Sequence, residues 1–185
     1  TEFQQKFGEK AVKDKLYQTV LGAANNYLTV SEKGEASLNE QGFINYLEKV
    51  KSWNLPKEKQ LIQYAKINVY ERSKQWEKFA EAVDNGLKMD IVLSPMMLWN
   101  YAMFTEANCD NETILLKAAH WSEVAAKKDK KGQMKRYCLN MQAKLLKKAG
   151  KSEKAQEILD KLEEEKNTDK KGRKAKMMLP LKKND

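Results

Sequence analysis

The chain has 185 residues, 41% hydrophobic and 33% charged, with only 8 Gly and 3 Pro. This composition is rich in helix formers and poor in turn punctuation, which predicts an all-α fold in one domain or one short repeat array. Apolar runs of a few residues exclude a membrane-spanning helix, and the net charge of +9 is concentrated in residues 166–185, where eight Lys or Arg stand against Asp169 and Asp185.

Residues 9–28 place Val12, Leu16, Val20, Ala23, Ala24 and Tyr27 on one side at helical spacing. Gly34 marks a loop. A second helix is predicted over 39–53, with Phe43, Tyr46, Leu47, Val50 and Trp53 apolar. Leu55-Pro56 ends it, and Pro56 suits the first turn of the next helix, 56–72, which buries Leu61, Ile62, Ala65 and Val69. After a turn near Lys74 and Gln75, helix resumes through residue 88. Ser94-Pro95 is a start signal, a capping Ser followed by Pro at the first helical position. The helix it opens breaks at residues 108–112, where Asp110 or Asn111 caps the next one, and residues 128–132 form a further loop.

The stretch LLKKAGKSEKAQEILDKLEEE, residues 145–165, is helix-forming nearly throughout, with Gly150 in the middle. Gly closes a helix in the left-handed conformation, and Lys147 and Lys148 favour the negative end of the helix dipole. Ser152 is positioned to cap the next helix, whose apolar stripe is Ala155, Ile158, Leu159 and Leu162. Two antiparallel helices joined by a tight turn are therefore expected, the alternative being one helix with a tolerated Gly.

The segments 64–83, 101–121 and 142–159 share a layout. Each carries a small residue early in its first helix (Ala65, Ala102, Ala143), then a polar break and a second amphipathic helix. Spacings of 37 and 41 residues between these alanines point to stacked helix pairs. The expected organisation is a single helical repeat-like domain over 1–165, with pairs at about 9–53, 56–88, 94–128 and 131–166, followed by a basic, partly ordered tail over 167–185.

The last pair resembles a tetratricopeptide repeat. Ala143, Gly150, Ala155, Leu159 and Leu162 match the spacing of that repeat's small first-helix residue, turn Gly, small second-helix residue and second-helix apolar positions. A longer likeness runs through Tyr101-Ala102, the loop Asp110–Glu112, Ala118–Trp121 and Leu145–Gly150. It resembles the helical C-terminal region of bacterial thioredoxin-like proteins, and the opening FQQKFGEKAV is similar to the segment after their thioredoxin domain. Their Cys-x-x-Cys is absent from this chain, so none of that chemistry is assigned to it. The resemblance implies an accessory region in an extracytoplasmic setting, with a cytoplasmic one also open. The absence of an initiator Met suggests a processed or excised chain.

No catalytic, cofactor or metal set is identified. His120 and Glu123 share a helix face, but a metal site needs more ligands. Cys109 and Cys138, the only cysteines, are expected to carry thiols rather than a disulfide, one packed and one near a loop. The four Trp residues, 53, 76, 99 and 121, read most simply as core. In tetratricopeptide arrays the first helices of successive repeats form the concave face. The resemblance therefore implies a partner groove of Ile62, Lys66, Met96, Trp99, Met103, Tyr137, Asn140, Lys144 and Lys147, apolar with a basic edge and suited to an aromatic or acidic peptide. The alternative is a face that merely packs on a neighbouring domain.

The expected function is non-enzymatic: a protein- or domain-interaction module accessory to a thioredoxin-like domain. Two rivals stand beside it. One is binding to an anionic surface or nucleic acid through the basic tail, which lacks the stacking aromatics such binding commonly uses. The other is an enzyme using Glu and Lys in an inter-helix pocket.

Overall fold

The computed structural model of the chain describes residues 8–89, 91 and 93–177. Its backbone packing divides into two compact units, Thr1–Leu93 and Ser94–Asp185. The fold is mostly helical, as the composition predicts, with one small β-hairpin.

The first unit opens with α1 (Glu9–Ala24), a 3₁₀ turn (Asn25–Tyr27) and the strands β1 (Leu28–Val30) and β2 (Ala36–Leu38). The helix expected through residue 28 therefore stops at Ala24. Asn25 and Asn26 favour local turns over helix, and the β-branched Thr29 and Val30 go into a strand. Leu28 pairs with Leu38 and Val30 with Ala36, antiparallel. Gly34, at φ 79°, makes the hairpin turn. Asn25 Oδ1 accepts hydrogen bonds from Asn68 Nδ2 at 3.2 Å and Arg72 Nη1 at 2.8 Å, which hold the 3₁₀ turn in place.

Helices α2 (Glu40–Ser52), α3 (Glu58–Arg72) and α4 (Trp76–Lys88) complete this unit. Asn39 caps α2 by accepting from the Gly42 amide at 3.0 Å. Pro56 lies outside α3 rather than in its first turn. Lys57 is the cap residue, in the left-handed region at φ 57°. Helix α3 is the unit's axis, packing against α1, α2 and α4. Leu61, Ile62, Gln63, Ala65, Ile67, Val69 and Tyr70 are buried around its circumference, so it carries no single apolar stripe. The buried Gln63 is satisfied by donating to the Ala82 carbonyl of α4. Around it, Tyr46 donates to the Val20 carbonyl at 2.8 Å, and Phe43 meets Tyr70 edge-on at 5.8 Å.

The second unit comprises α5 (Pro95–Asn108), α6 (Glu112–Lys128), α7 (Lys135–Lys148) and α8 (Ser152–Met177). Ser94 caps α5 by accepting from the Met97 amide at 3.2 Å, and Asn111 rather than Asp110 caps α6 through the Ile114 amide at 3.2 Å. The loop before α7 is held by Asp129, whose Oδ2 accepts from the amides of Met134 and Lys135 at 2.5 and 2.9 Å. Consecutive helices pack pairwise, and α7 also touches α5. Trp121, Leu98, Leu115 and Leu145 are fully buried at the centre.

Gly150 separates α7 from α8. At φ 74° its amide reaches the Lys147 carbonyl at 3.1 Å, while the Lys151 amide reaches that of Leu146 at 2.8 Å. That is a Schellman turn, so two helices form rather than one. Ser152 is the first helical residue, and the cap position falls to Lys151 instead. Helix α8 continues beyond residue 166 to Met177. The rest of the basic segment, residues 178–185, lies outside the described residues.

Candidate partner-binding site

Among the described residues no group of three His, Cys, Asp or Glu converges on a metal position. His120 is exposed, its Nδ1 3.6 Å from Glu123 Oε2. Glu123 is held below the ordinary carboxylate range, chiefly by its hydrogen bond from Lys127 and then by His120. Cys109 and Cys138 are both buried and carry thiols. Burial, and then the negative charge of Asp129, push the Cys138 thiol up to about 11, the state of an inert packed cysteine.

The tryptophans divide. Trp121 is core, Trp76 and Trp99 are part-buried, and Trp53 is 45% exposed, resting edge-on against Tyr46 at 6.3 Å. Reading all four as core therefore fails at Trp53, which follows the last turn of α2 and leaves the packed face there. The Trp99 indole nitrogen is buried without a hydrogen-bond partner among the described residues.

The expected groove residues fall in both units. In the first, Ile62 is buried in α3 and Lys66 lines a cavity of about 220 Å³ with Gln63, Tyr70 and Lys78. In the second, Met96 and Met103 stand 49% and 40% exposed on α5, and Tyr137 is 62% exposed on α7. Asn140, Lys144 and Lys147 follow Tyr137 at intervals of three and four residues. All four are exposed and form one stripe along α7.

That stripe borders a groove of about 630 Å³ between α7 and α8, lined by Asn140, Ala143, Lys144 and Lys147 on one side and Ser152, Ala155, Gln156 and Leu159 on the other. Ala143 and Ala155 keep its floor low, and Leu159 is left 39% exposed within it. The α8 half of this groove is absent from the set inferred from the sequence. Its signal was present in the stripe Ala155–Leu159, which reads equally well as ordinary core.

The charges along α7 are unequally neutralised. Lys135 pairs with Glu165 at 3.1 Å, and Lys148 pairs with Asp110 at 2.8 Å while donating to the Glu106 carbonyl. Lys151 pairs with Glu112 at 2.7 Å. Lys144 and Lys147, between these, have no carboxylate partner among the described residues. No carboxylate lines the groove either. The arrangement can hold an apolar side chain at its floor and an anionic one at its α7 rim. No family model, curated protein or solved structure matches this chain.

Proposed function

We propose that the chain is a non-catalytic protein-interaction module whose second unit receives a protein or peptide partner on α7 and α8. The observation that carries this reading is the juxtaposition of an exposed aromatic, Tyr137, with unpaired lysines on one helix face beside an apolar groove. Aromatic anchors beside apolar grooves with a polar rim are the ordinary chemistry of peptide recognition. Within the second unit, we read the two helix pairs as a short array like that of tetratricopeptide repeats. Ala102 and Ala143 are both buried at corresponding points, and α5 touches α7 as first helices of successive repeats do. The likeness of the sequence to regions that follow thioredoxin-like domains favours a partner domain on the same polypeptide and an extracytoplasmic setting.

Selection of displayed peptides on the immobilised chain tests the reading. Enriched peptides bind the wild type and lose binding to a Tyr137→Ala/Lys144→Glu variant of unchanged helicity. Both positions are exposed, where substitutions rarely unfold a domain. Failure to enrich any peptide, or equal binding to that variant, contradicts the reading.

A further inference from the structure

The groove between α7 and α8 repeats a packing relationship found earlier in the same unit. Helix α7 lies against both α5 and α6, so one antiparallel pair carries the next helix across it. The pair α7–α8 is built alike, and α8 is the unit's last described element. The lining fits a helix: Ala143 and Ala155 are small enough to admit a helix backbone at close range, and Leu159 offers an apolar ridge. From Asn140 to Lys147 the groove runs about two helical turns, or roughly 10 Å.

Resting on the protein-binding reading above, we propose that this groove docks an acidic amphipathic helix of a partner protein. Charge selects the occupant. The end lysines of α7 are neutralised by Glu165 and Asp110, whereas Lys144 and Lys147 line the groove with no carboxylate paired to them among the described residues. On α8, Asp160 lies off the lining and accepts from Gln156 at 2.8 Å. A docked helix therefore turns its apolar side chains onto Ala143, Ala155 and Leu159 and its Glu or Asp residues, three or four apart, toward Lys144 and Lys147. In sequence the chain's own residues 178–185 carry Lys182 and Lys183 against Asp185, a net charge of the same sign as that rim.

Three synthetic helical peptides with the same Leu/Ala face, flanked by Glu, Gln or Lys, test this by fluorescence anisotropy against the full chain. The Glu peptide binds roughly tenfold or more tighter than the Lys peptide, and added salt weakens it. Lys144→Glu/Lys147→Glu, with its helicity verified, reverses the preference. Equal binding of Glu and Lys peptides overturns the acidic-helix proposal while leaving a protein-binding groove. Failure of all three peptides to bind also overturns it, and the interaction reading then stands or falls on the peptide selection. A dimer of the wild type that the double variant breaks, seen by light scattering, makes the occupant a second copy and likewise overturns the proposal.

Discussion

Lys74 adopts in the turn between α3 and α4 the conformation that Gly150 adopts between α7 and α8. Both backbones are left-handed, at φ 53° and 74°. In each turn the following amide reaches back five residues, Gln75 to the Tyr70 carbonyl at 3.0 Å and Lys151 to that of Leu146 at 2.8 Å. One Schellman turn thus serves two helix pairs, and only one of them carries the glycine the motif favours. A side chain in this region costs about 1–2 kcal/mol, partly offset by the lower chain entropy of a non-glycine residue. Lys74→Gly is expected to stabilise by up to about 1 kcal/mol, and Gly150→Ala to destabilise by about 1 kcal/mol. Urea unfolding of the two variants measures both signs.

Asp129 caps α7 from outside the helix, holding the amides of Met134 and Lys135 together. Asp129→Ala removes both bonds and is expected to cost about 1 kcal/mol. Asp129→Asn, which keeps an acceptor, loses less. A thermal melt of each variant separates the contribution of the cap from that of charge.

Burial raises the Glu71 pKa. A carboxyl with a raised folded-state pKa is easier to bury protonated, so its contribution is most favourable below the unfolded pKa and is lost as pH rises through the folded one. Glu71→Gln is therefore expected to melt higher than wild type near about pH 7 and equally near about pH 3. A higher melting temperature of equal size at both pH values sinks the electrostatic explanation.

Cys138 has its thiol pushed up to about 11 within a buried site. Iodoacetamide at about pH 8 leaves it unmodified in the folded chain. Its labelling, followed by mass spectrometry of the Cys138 peptide, appears only across the denaturant transition. Rapid labelling without denaturant contradicts the packing assigned to α7.

Much of the helical framework is legible in the residues because its signals are local. Ser94-Pro95, the Asn111 cap and Gly150 each mark a boundary by their own chemistry. The hairpin is not legible: strands of three residues show no alternation, and Leu28 and Leu38 find each other only once Gly34 has turned the chain. The central role of α3 is hidden for a different reason. A helix buried on most sides has no single stripe, so the set Leu61, Ile62, Ala65 and Val69 read from spacing leaves out Gln63, Ile67 and Tyr70, which are buried as well. The turn near Lys74 and Gln75 is legible as a break, but its Schellman geometry is not, because lysine carries no signal for the left-handed conformation. At the candidate site, the tetratricopeptide resemblance points to Tyr137, Asn140, Lys144 and Lys147, and helical spacing puts the four on one face of α7. The α8 wall is not legible, since whether Leu159 is core or groove depends on what lies beyond the last helix pair.

The central claim is that α7 and α8 receive a partner. The most direct test is a titration of the isotope-labelled chain with the tightest selected peptide, followed by amide chemical shifts. The account predicts shifts clustered at Tyr137, Asn140, Lys144, Lys147 and Leu159. Shifts confined to other helices, with these five unmoved, contradict it.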